Sequence, residues 1–366
     1  MFSSYLSRIF VFSLLTLFIS IQLAMPTQAQ TSFDRVAMIE GIVTETVLPL
    51  HRTFAEEALT LETTAIAFEA DTTEENLVAL RQMYINTVIA FERTSPFHFQ
   101  RLMPYVTQIE RHPPNIEFVE TYIASVEPDP IDLELAARFG SAQKGLPVLD
   151  YLLFADDALT RLTDSATRRQ YVSILTTGIR QIADTLVDEW TLGADGYGDQ
   201  FIAADDDPSS VRSAVSILSN EIIVVVEFVP RIWLGIPLGH RHGGEPQPEL
   251  VEAPYSTTSV VRLIANLEAV QMTINGTGDS PSFADYLDFL GAEHNGEPMS
   301  EAINAQIDAT IADLNTIEEP LAIAVVEDTD GVTAVFDTSL ALLRLVKRDM
   351  AHELGITVTF NSNDGD

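Results

Sequence analysis

The chain has 366 residues, contains no cysteine and carries a formal net charge of −34, because 54 acidic residues are balanced by only 20 lysines and arginines. The lack of cysteine excludes disulfides, thiolate metal sites and cysteine nucleophiles. The negative charge disfavours binding to nucleic acid and to anionic lipid. It is compatible with cation binding and also with simple solubility in a salty environment, and charge describes solubility better than it describes function.

The first 29 residues have the pattern of a cleavable secretory signal peptide. Arg8 supplies the positive region, Ile9–Ile19 the apolar region, and Thr27-Gln28-Ala29 a cleavage site with a small final residue. No later segment reaches the roughly 20 apolar residues that a membrane span requires. The sequence therefore predicts an exported protein with no transmembrane segment after signal removal.

The rest of the chain has helical periodicity nearly throughout. The pattern predicts one helix at Phe33–Glu69, kinked or broken at Pro49, and a second helix that begins after a Thr72–Glu75 capping box. Further helices are predicted at Asp164–Trp190, Val211–Val229, Ser256–Ile274, Pro281–Leu290, Ser300–Ile317 and Val332–Leu354. The loop Thr191–Ser210 is rich in glycine and aspartate, and we take it as the seam between two halves. The predicted fold is all-α, with two helical-bundle domains at 30–195 and 196–366 packed against each other.

The most informative stretch is Gly145–Asp157. From Val148 to Ala155, Asp150 is the single residue that is neither apolar nor aromatic. Pro147 suits the first turn of a helix, and a helix that is apolar on all sides is a buried helix. A buried carboxylate must find a cation, backbone donors, water or a metal, or become protonated. Asp150 is therefore either a structural acid or a ligand-binding group. For the structural role, the candidate partners upstream are Arg81, Arg93, Arg101 and Arg138.

Several common catalytic motifs are absent from this sequence. His352-Glu353 is not followed by the second histidine of a His-Glu-x-x-His zinc motif, and no phosphate-binding glycine loop or G-x-S-x-G elbow occurs. The acidic loops Asp195–Asp207 and Glu327–Asp330 do not match a calcium-binding loop. His240-Arg241-His242 places two imidazoles close together, but a metal needs three or four ligands, so we expect a solvated loop.

Three blocks of the sequence resemble a known family. Arg138-Phe-Gly140 followed by Lys144–Phe154 is similar to the central signature of the imelysin (insulin-cleaving, peptidase-like) family. Leu234–Gly239 and Leu354–Asp366 resemble a second and a third block in the same order, so the imelysin-like region covers about 35–360. The resemblance implies two helical bundles, export to the periplasm or outer envelope, a role in bacterial iron uptake, and a functional site between the bundles.

The resemblance also allows a residue-by-residue comparison with the metal motif suggested for the family, G-x-H-x-x-E. Gly145 matches its glycine, but Pro147 stands at the histidine position and Asp150 at the glutamate position. Proline has no ligand atom, so the His/Glu pair that could share a metal on one helix face is missing. We interpret Asp150, Gly145 and Pro147 as ligand-binding residues, and assign no catalytic residue and no metal ligand.

The function that this resemblance implies is a non-catalytic binding or accessory component of iron uptake, with a ligand cleft between the bundles. Its partners would be envelope iron-uptake components or a small ligand, and a bound iron ion is left open. The first alternative is a metal-dependent peptidase, which requires a metal, an activated water and a general base. The second is a structural envelope protein that scaffolds its partners.

Overall fold

The structure is a computed structural model that describes residues 32–127, 129–193, 196–206 and 210–359. The predicted signal peptide, part of the acidic loop Asp195–Asp207 and the C-terminal residues from Phe360 onward lie outside these ranges. Within them the regular structure is almost entirely helical, as the periodicity predicts.

The first half of the chain consists of long helices at 48–70, 74–92 and 166–190 and of several shorter helices. Its α-helices are α1 Arg35–Gly41, α2 Leu48–Ala70, α3 Glu74–Glu92, α4 Met103–Ile109, α5 Ile116–Val126, α6 Leu133–Ala136, α7 Leu146–Phe154, α8 Ala158–Asp164, α9 Ala166–Trp190 and α10 Tyr197–Ala203. Short 3-10 turns lie at Ser95–Phe97, Gln100–Leu102, Ser141–Gln143 and Ala204–Asp206.

The second half consists of α-helices with one short hairpin. The helices are α11 Ala214–Phe228, α12 Ser259–Asn275, α13 Phe283–Leu290, α14 Met299–Leu314, α15 Leu321–Glu327, α16 Thr329–Arg344 and α17 Ala351–Glu353. A 3-10 turn spans Pro248–Leu250. The hairpin pairs β1 Glu293–His294 with β2 Glu297–Pro298 in antiparallel register. Asn295 and Gly296 both have positive φ, at 54° and 88°, as the two-residue turn of such a hairpin requires.

The helices pack in two connected groups. α2 lies against both α3 and α9, and α12 lies against α3, α11 and α14, so α12 joins the two halves of the chain. The predicted apolar face of α3 is fully buried, with Leu77, Leu80, Tyr84, Val88 and Phe91 each at most 1% exposed. This packing puts the C-terminal end of α3 next to the start of α12, where the candidate site lies.

Some predicted details differ in the structure. The cap of α3 is Thr73, whose hydroxyl accepts from the backbone N–H of Asn76, and Thr72 instead donates to the carbonyl of Phe68. Pro49 lies in the first turn of α2, directly after a π-helical turn at Ile42–Val47, so the α-helical hydrogen bonding of the predicted Phe33–Glu69 helix is interrupted next to the proline while the helical backbone continues.

The described residues also form π-helical turns next to α-helices, which the periodicity did not predict. They lie at Ile42–Val47 between α1 and α2, at Val229–Leu234 after α11, and at Leu345–Met350 between α16 and α17. The turn at Leu345–Met350 continues the predicted Val332–Leu354 helix to its end, and Gly355 follows with φ of 62°, as expected for a helix C-cap.

Contacts group the described residues from Arg35 onward into a single unit. The division into bundles at 30–195 and 196–366 stays a prediction. In the part of the chain that the structure describes, no helix has both the length and the apolar composition for crossing a membrane.

Candidate functional site

Asp150 lies in the buried helix α7 and is only 2% exposed. Its Oδ1 accepts from the backbone N–H of Ser256 at 3.0 Å, and its Oδ2 accepts from that of Tyr255 at 3.2 Å. The Tyr84 hydroxyl lies 3.4 Å from Oδ1. Both carboxylate oxygens therefore fix the loop that precedes α12 against the first half of the chain.

The burial of Asp150 raises the pKa of its carboxyl group, and the donors at Ser256 and Tyr255 together with the Arg262 guanidinium oppose that shift. None of the four upstream arginines pairs with it. Arg81 donates to the Leu153 carbonyl, Arg93 pairs with Glu268, Arg101 pairs with Glu189, and Arg138 is exposed. Backbone donors from the second half of the chain take the place of the expected upstream arginine.

Gly145 and Pro147 shape the start of α7. Gly145 has φ of 82°, a conformation that side-chain-bearing residues rarely adopt, and a Cβ there would lie 2.1 Å from the carbonyl oxygen of Ile109. Pro147 is buried in the first turn of α7. The close approach at Gly145 brings the end of α4 against α7, so that Glu110, the next residue after α4, is held beside the Asp150 region.

The centre of the site is a buried arginine, Arg262, which is 1% exposed and lies in the first turn of α12. Its Nη1 lies 2.7 Å from Glu110 Oε1 and 2.9 Å from Glu252 Oε1. Its Nε lies 3.3 Å from Glu92 Oε1, close enough for an ion pair but without hydrogen-bond geometry. One guanidinium therefore faces three carboxylates.

These carboxylates come from separate parts of the chain. Glu92 is the last residue of α3, Glu110 follows α4, and Glu252 lies in the segment before α12. Asn266, one turn after Arg262, donates to Glu92 Oε2 at 3.1 Å. Residues from before and after the predicted seam at 195 thus meet in one cluster, in which Glu92 and Glu252 are buried and Glu110 is half-buried.

A histidine completes this cluster. His112 Nε2 lies 3.3 Å from Glu110 Oε1, and the His112 ring packs edge-on against Trp233 with a centroid distance of 5.5 Å. One ligand atom from each of Glu110, His112 and Glu252 lies within 4.8 Å of the other two. Carboxylate oxygens and an imidazole nitrogen are donors that bind divalent first-row metals.

The electrostatics of the cluster favour an additional positive charge. Burial raises the pKa of Glu92 and of Glu252, and Arg262 only partly offsets this for Glu252. Burial acts in the same direction on Glu110, but Arg262 and His112 outweigh it and lower its pKa to about 2. Because buried carboxylates outnumber the guanidinium, the site favours either protons or a bound cation.

Two oxygen atoms in the cluster also have no hydrogen bond. Glu252 Oε2 and Glu92 Oε1 are buried and accept no hydrogen bond from any residue that the structure describes. A buried polar atom without a partner costs about 1–3 kcal/mol. The donor set and the unpartnered Glu252 oxygen fit a metal ion whose ligands would be Glu110, His112 and Glu252.

The other histidines do not form a comparable group. His240 and His242 are exposed, as expected for a solvated loop. His51 and His98 are structural, and burial lowers the pKa of His51 to about 4 and that of His98 to about 3. Among the described residues, Glu110, His112 and Glu252 form the one group with metal-ligand spacing.

Sequence reasoning identified Asp150 but missed the cluster beside it. Arg262 carries the same signal as Asp150, since it is a charged residue between Val260-Val261 and Leu263-Ile264 in an otherwise apolar helix start. Glu110 and His112 stand two residues apart, which is too common a spacing to predict a site. Glu252 has no local signal.

A family model described as Imelysin matches residues 47–347 of the chain. The chain belongs to the imelysin family. No curated protein matches it.

Two solved structures resemble the imelysin-family chain in fold. An imelysin-like protein from Psychrobacter arcticum has 19% identity and a TM-score of 0.71, with 88% of this chain and 98% of that one covered. A protein from Parabacteroides distasonis, described as an iron-regulated protein A precursor, has 16% identity and a TM-score of 0.69, with 88% and 97% covered. At these identities the likeness establishes the fold alone.

Proposed function

We propose that this imelysin-family protein is an exported, non-catalytic binding component of bacterial iron uptake, located in the periplasm or outer envelope. Its ligand is a cation, iron in the first instance, held by Glu110, His112 and Glu252. The observation that carries the proposal is the group of three ligand atoms within 4.8 Å of one another, beside an unpartnered Glu252 oxygen. The family and the iron-regulated relative support the link to iron.

The residues singled out in the sequence act in this proposal as supports of the cation site. Asp150 holds the backbone at Tyr255 and Ser256, three and four residues after Glu252. Gly145 allows the backbone before Glu110 to approach α7. Removing either support would displace a ligand without removing any ligand atom.

A non-catalytic role is favoured by the position of Arg262. Its Nη1 donates to oxygens of both Glu110 and Glu252, so both acidic ligand groups are already engaged by a fixed positive charge. A metallopeptidase requires an open metal position with an activated water and a free general base. Because Arg262 contacts both carboxylates, neither of them is free to act as a general base.

Titration calorimetry of the full, untagged chain with Fe²⁺ under anaerobic conditions tests the proposal. The wild type should bind one ion per chain, and Glu252→Gln should weaken binding at least about tenfold, because it replaces an anionic ligand with a neutral one. Glu249→Gln is the matched control, since Glu249 is exposed three residues earlier. Equal affinities for Glu252→Gln and the control, with both variants folded by circular dichroism, would contradict the proposal.

The metallopeptidase alternative has one observation in its favour, since a histidine and two glutamates also occur as ligands of catalytic metals. It predicts cleavage of a protein substrate that a chelator abolishes and that Glu252→Gln removes. The binding proposal predicts no cleavage by the iron-loaded protein.

A further inference from the structure

A second candidate site, whose lining includes none of the carboxylate-cluster residues, is a cavity of about 610 Å³ between the segment after α11 and helix α16 with its continuation. We propose that this cavity, the basic pocket, binds a small organic anion that carries two or more carboxylate or phosphate groups. The cationic side chains that line it are Arg231, Arg241, Arg344, Lys347 and Arg348.

The charge of the basic pocket is opposite to that of the protein. Five of the chain's 20 lysines and arginines line this one cavity, in a sequence with 54 acidic residues. None of the described residues that line it is acidic. Glu227 pairs with Arg231 and Lys347, and Asp349 pairs with Arg348, so within the described ranges these five cations meet only two paired acids in a chain with net charge −34. Their concentration at a cavity therefore indicates an anionic ligand.

Two of the five cations are free to meet that ligand. Arg241 and Arg344 are exposed, and neither forms an ion pair or side-chain hydrogen bond with any residue in the described ranges. Arg231 and Lys347 share Glu227, which is fully buried and lies 2.9 Å from Arg231 Nε and 3.0 Å from Lys347 Nζ. Glu227 thus anchors two cations at the pocket while Arg241 and Arg344 keep their donors available.

A tight backbone turn at Gly239 positions Arg241 at the basic pocket. Gly239 has φ of 81°, and a Cβ on it would lie 2.1 Å from the carbonyl oxygen of Glu245, so the chain turns sharply just before Arg241. The backbone N–H of His240 donates to the carbonyl of Gly235 at 2.9 Å, which closes the turn. The conformation that carries Arg241 to the pocket is therefore fixed by the backbone.

The chemistry of the lining indicates the ligand class. Arginine guanidinium groups bind carboxylates and phosphates through paired hydrogen bonds. Pro230, Phe336 and Leu343 add apolar surface, and the volume is in the usual range for small-molecule sites. Several separated cations around an apolar floor suit an organic skeleton with two or more anionic groups better than a single inorganic ion.

Calorimetry at low ionic strength with tricarballylate and with fructose 1,6-bisphosphate tests this inference. Tricarballylate is a tricarboxylate without the hydroxyl group that strengthens metal chelation, so it interferes little with the cation site. Saturable binding of either probe, with acetate and inorganic phosphate at least about tenfold weaker, is expected from the number of charged contacts. The stronger probe tells whether carboxylate or phosphate groups are preferred.

The variants Arg241→Gln and Arg344→Gln should each weaken binding of that probe about tenfold, since each removes one charge-assisted contact. Both residues are exposed and without an ion-pair partner among described residues, so the fold should persist. Arg212→Gln is the matched control, because Arg212 is exposed and outside the pocket lining. Glu252→Gln should bind the probe like the wild type, which separates this inference from the proposed cation site.

The inference is overturned if neither probe binds, if acetate or inorganic phosphate binds as tightly as the polyanions, or if Arg241→Gln and Arg344→Gln bind like the Arg212→Gln control.

Discussion

Gly145 gives the sharpest prediction about how the site is built. In Gly145→Ala the new Cβ would lie 2.1 Å from the Ile109 carbonyl oxygen, 1.3 Å closer than ordinary contact at 3.4 Å. The residue would also have to keep φ of 82° with ψ of −167°, a region that is essentially restricted to glycine. Either the end of α4 moves away from α7, or the start of α7 changes conformation.

The magnitude follows from these two effects. Backbone strain of this kind costs about 1–3 kcal/mol, and overpacking adds a further 1–3 kcal/mol or so. We therefore expect Gly145→Ala to lower the free energy of unfolding by about 2–6 kcal/mol. At about 2.1 cal/mol/K of unfolding entropy per residue, a chain of 366 residues has roughly 0.8 kcal/mol/K in total, so the decrease in Tm is on the order of 3–8 °C.

The matched control is Gly178→Ala in the interior of α9, where no atom lies within 4 Å of the added Cβ. That substitution should stabilise the protein by about 0.5–1 kcal/mol, because alanine is the better helix former. The assay is thermal and urea unfolding of the full chain followed by circular dichroism. If Gly145→Ala unfolds at the same temperature as the wild type, the close approach of α4 to α7 is not the constraint that we describe.

Two further predictions concern buried acids. Asp150→Asn should lower the free energy of unfolding by about 1–3 kcal/mol, because the new amide group leaves one backbone N–H of the Tyr255–Ser256 loop without an acceptor. Asp156→Asn is the control and should be neutral, since Asp156 is exposed. Equal unfolding curves for the two variants would refute this prediction. Burial raises the pKa of Glu221 from 4.5 to about 7. The protonated side chain therefore makes its full contribution to the free energy of unfolding below pH 4.5, and this contribution is lost as the pH rises through 7. In urea unfolding, the free energy of unfolding of Glu221→Gln should therefore increase by about 2–3 kcal/mol relative to that of the wild type as the pH is raised from 5 to 8. A difference between the two proteins that does not change with pH would contradict the raised pKa.

The sequence predicts the long helices because their apolar residues recur with helical periodicity. The buried face of α3 and the length of α9 follow from that pattern. Local hydrogen bonding is less predictable, since Thr72 and Thr73 are both adequate caps and the structure uses Thr73. The π-helical turns depend on packing and have no distinct pattern.

The candidate site is only partly predictable for a related reason. Asp150 is visible because a single charge interrupts an apolar run, but its partners are backbone N–H groups, which every residue has. Arg262 and Glu110 are 152 positions apart, and only the packing of α12 against α3 and of α4 against α7 brings them together. Such convergence has no signature in one sequence.

Anomalous X-ray diffraction at the iron absorption edge, from crystals of the full chain equilibrated with Fe²⁺, is the most direct test of the cation site. We expect one strong peak within coordination distance of carboxylate oxygens of Glu110 and Glu252 and of the His112 imidazole, and we expect the peak to be absent in Glu252→Gln crystals. An iron peak elsewhere, or a peak that Glu252→Gln retains, would contradict it.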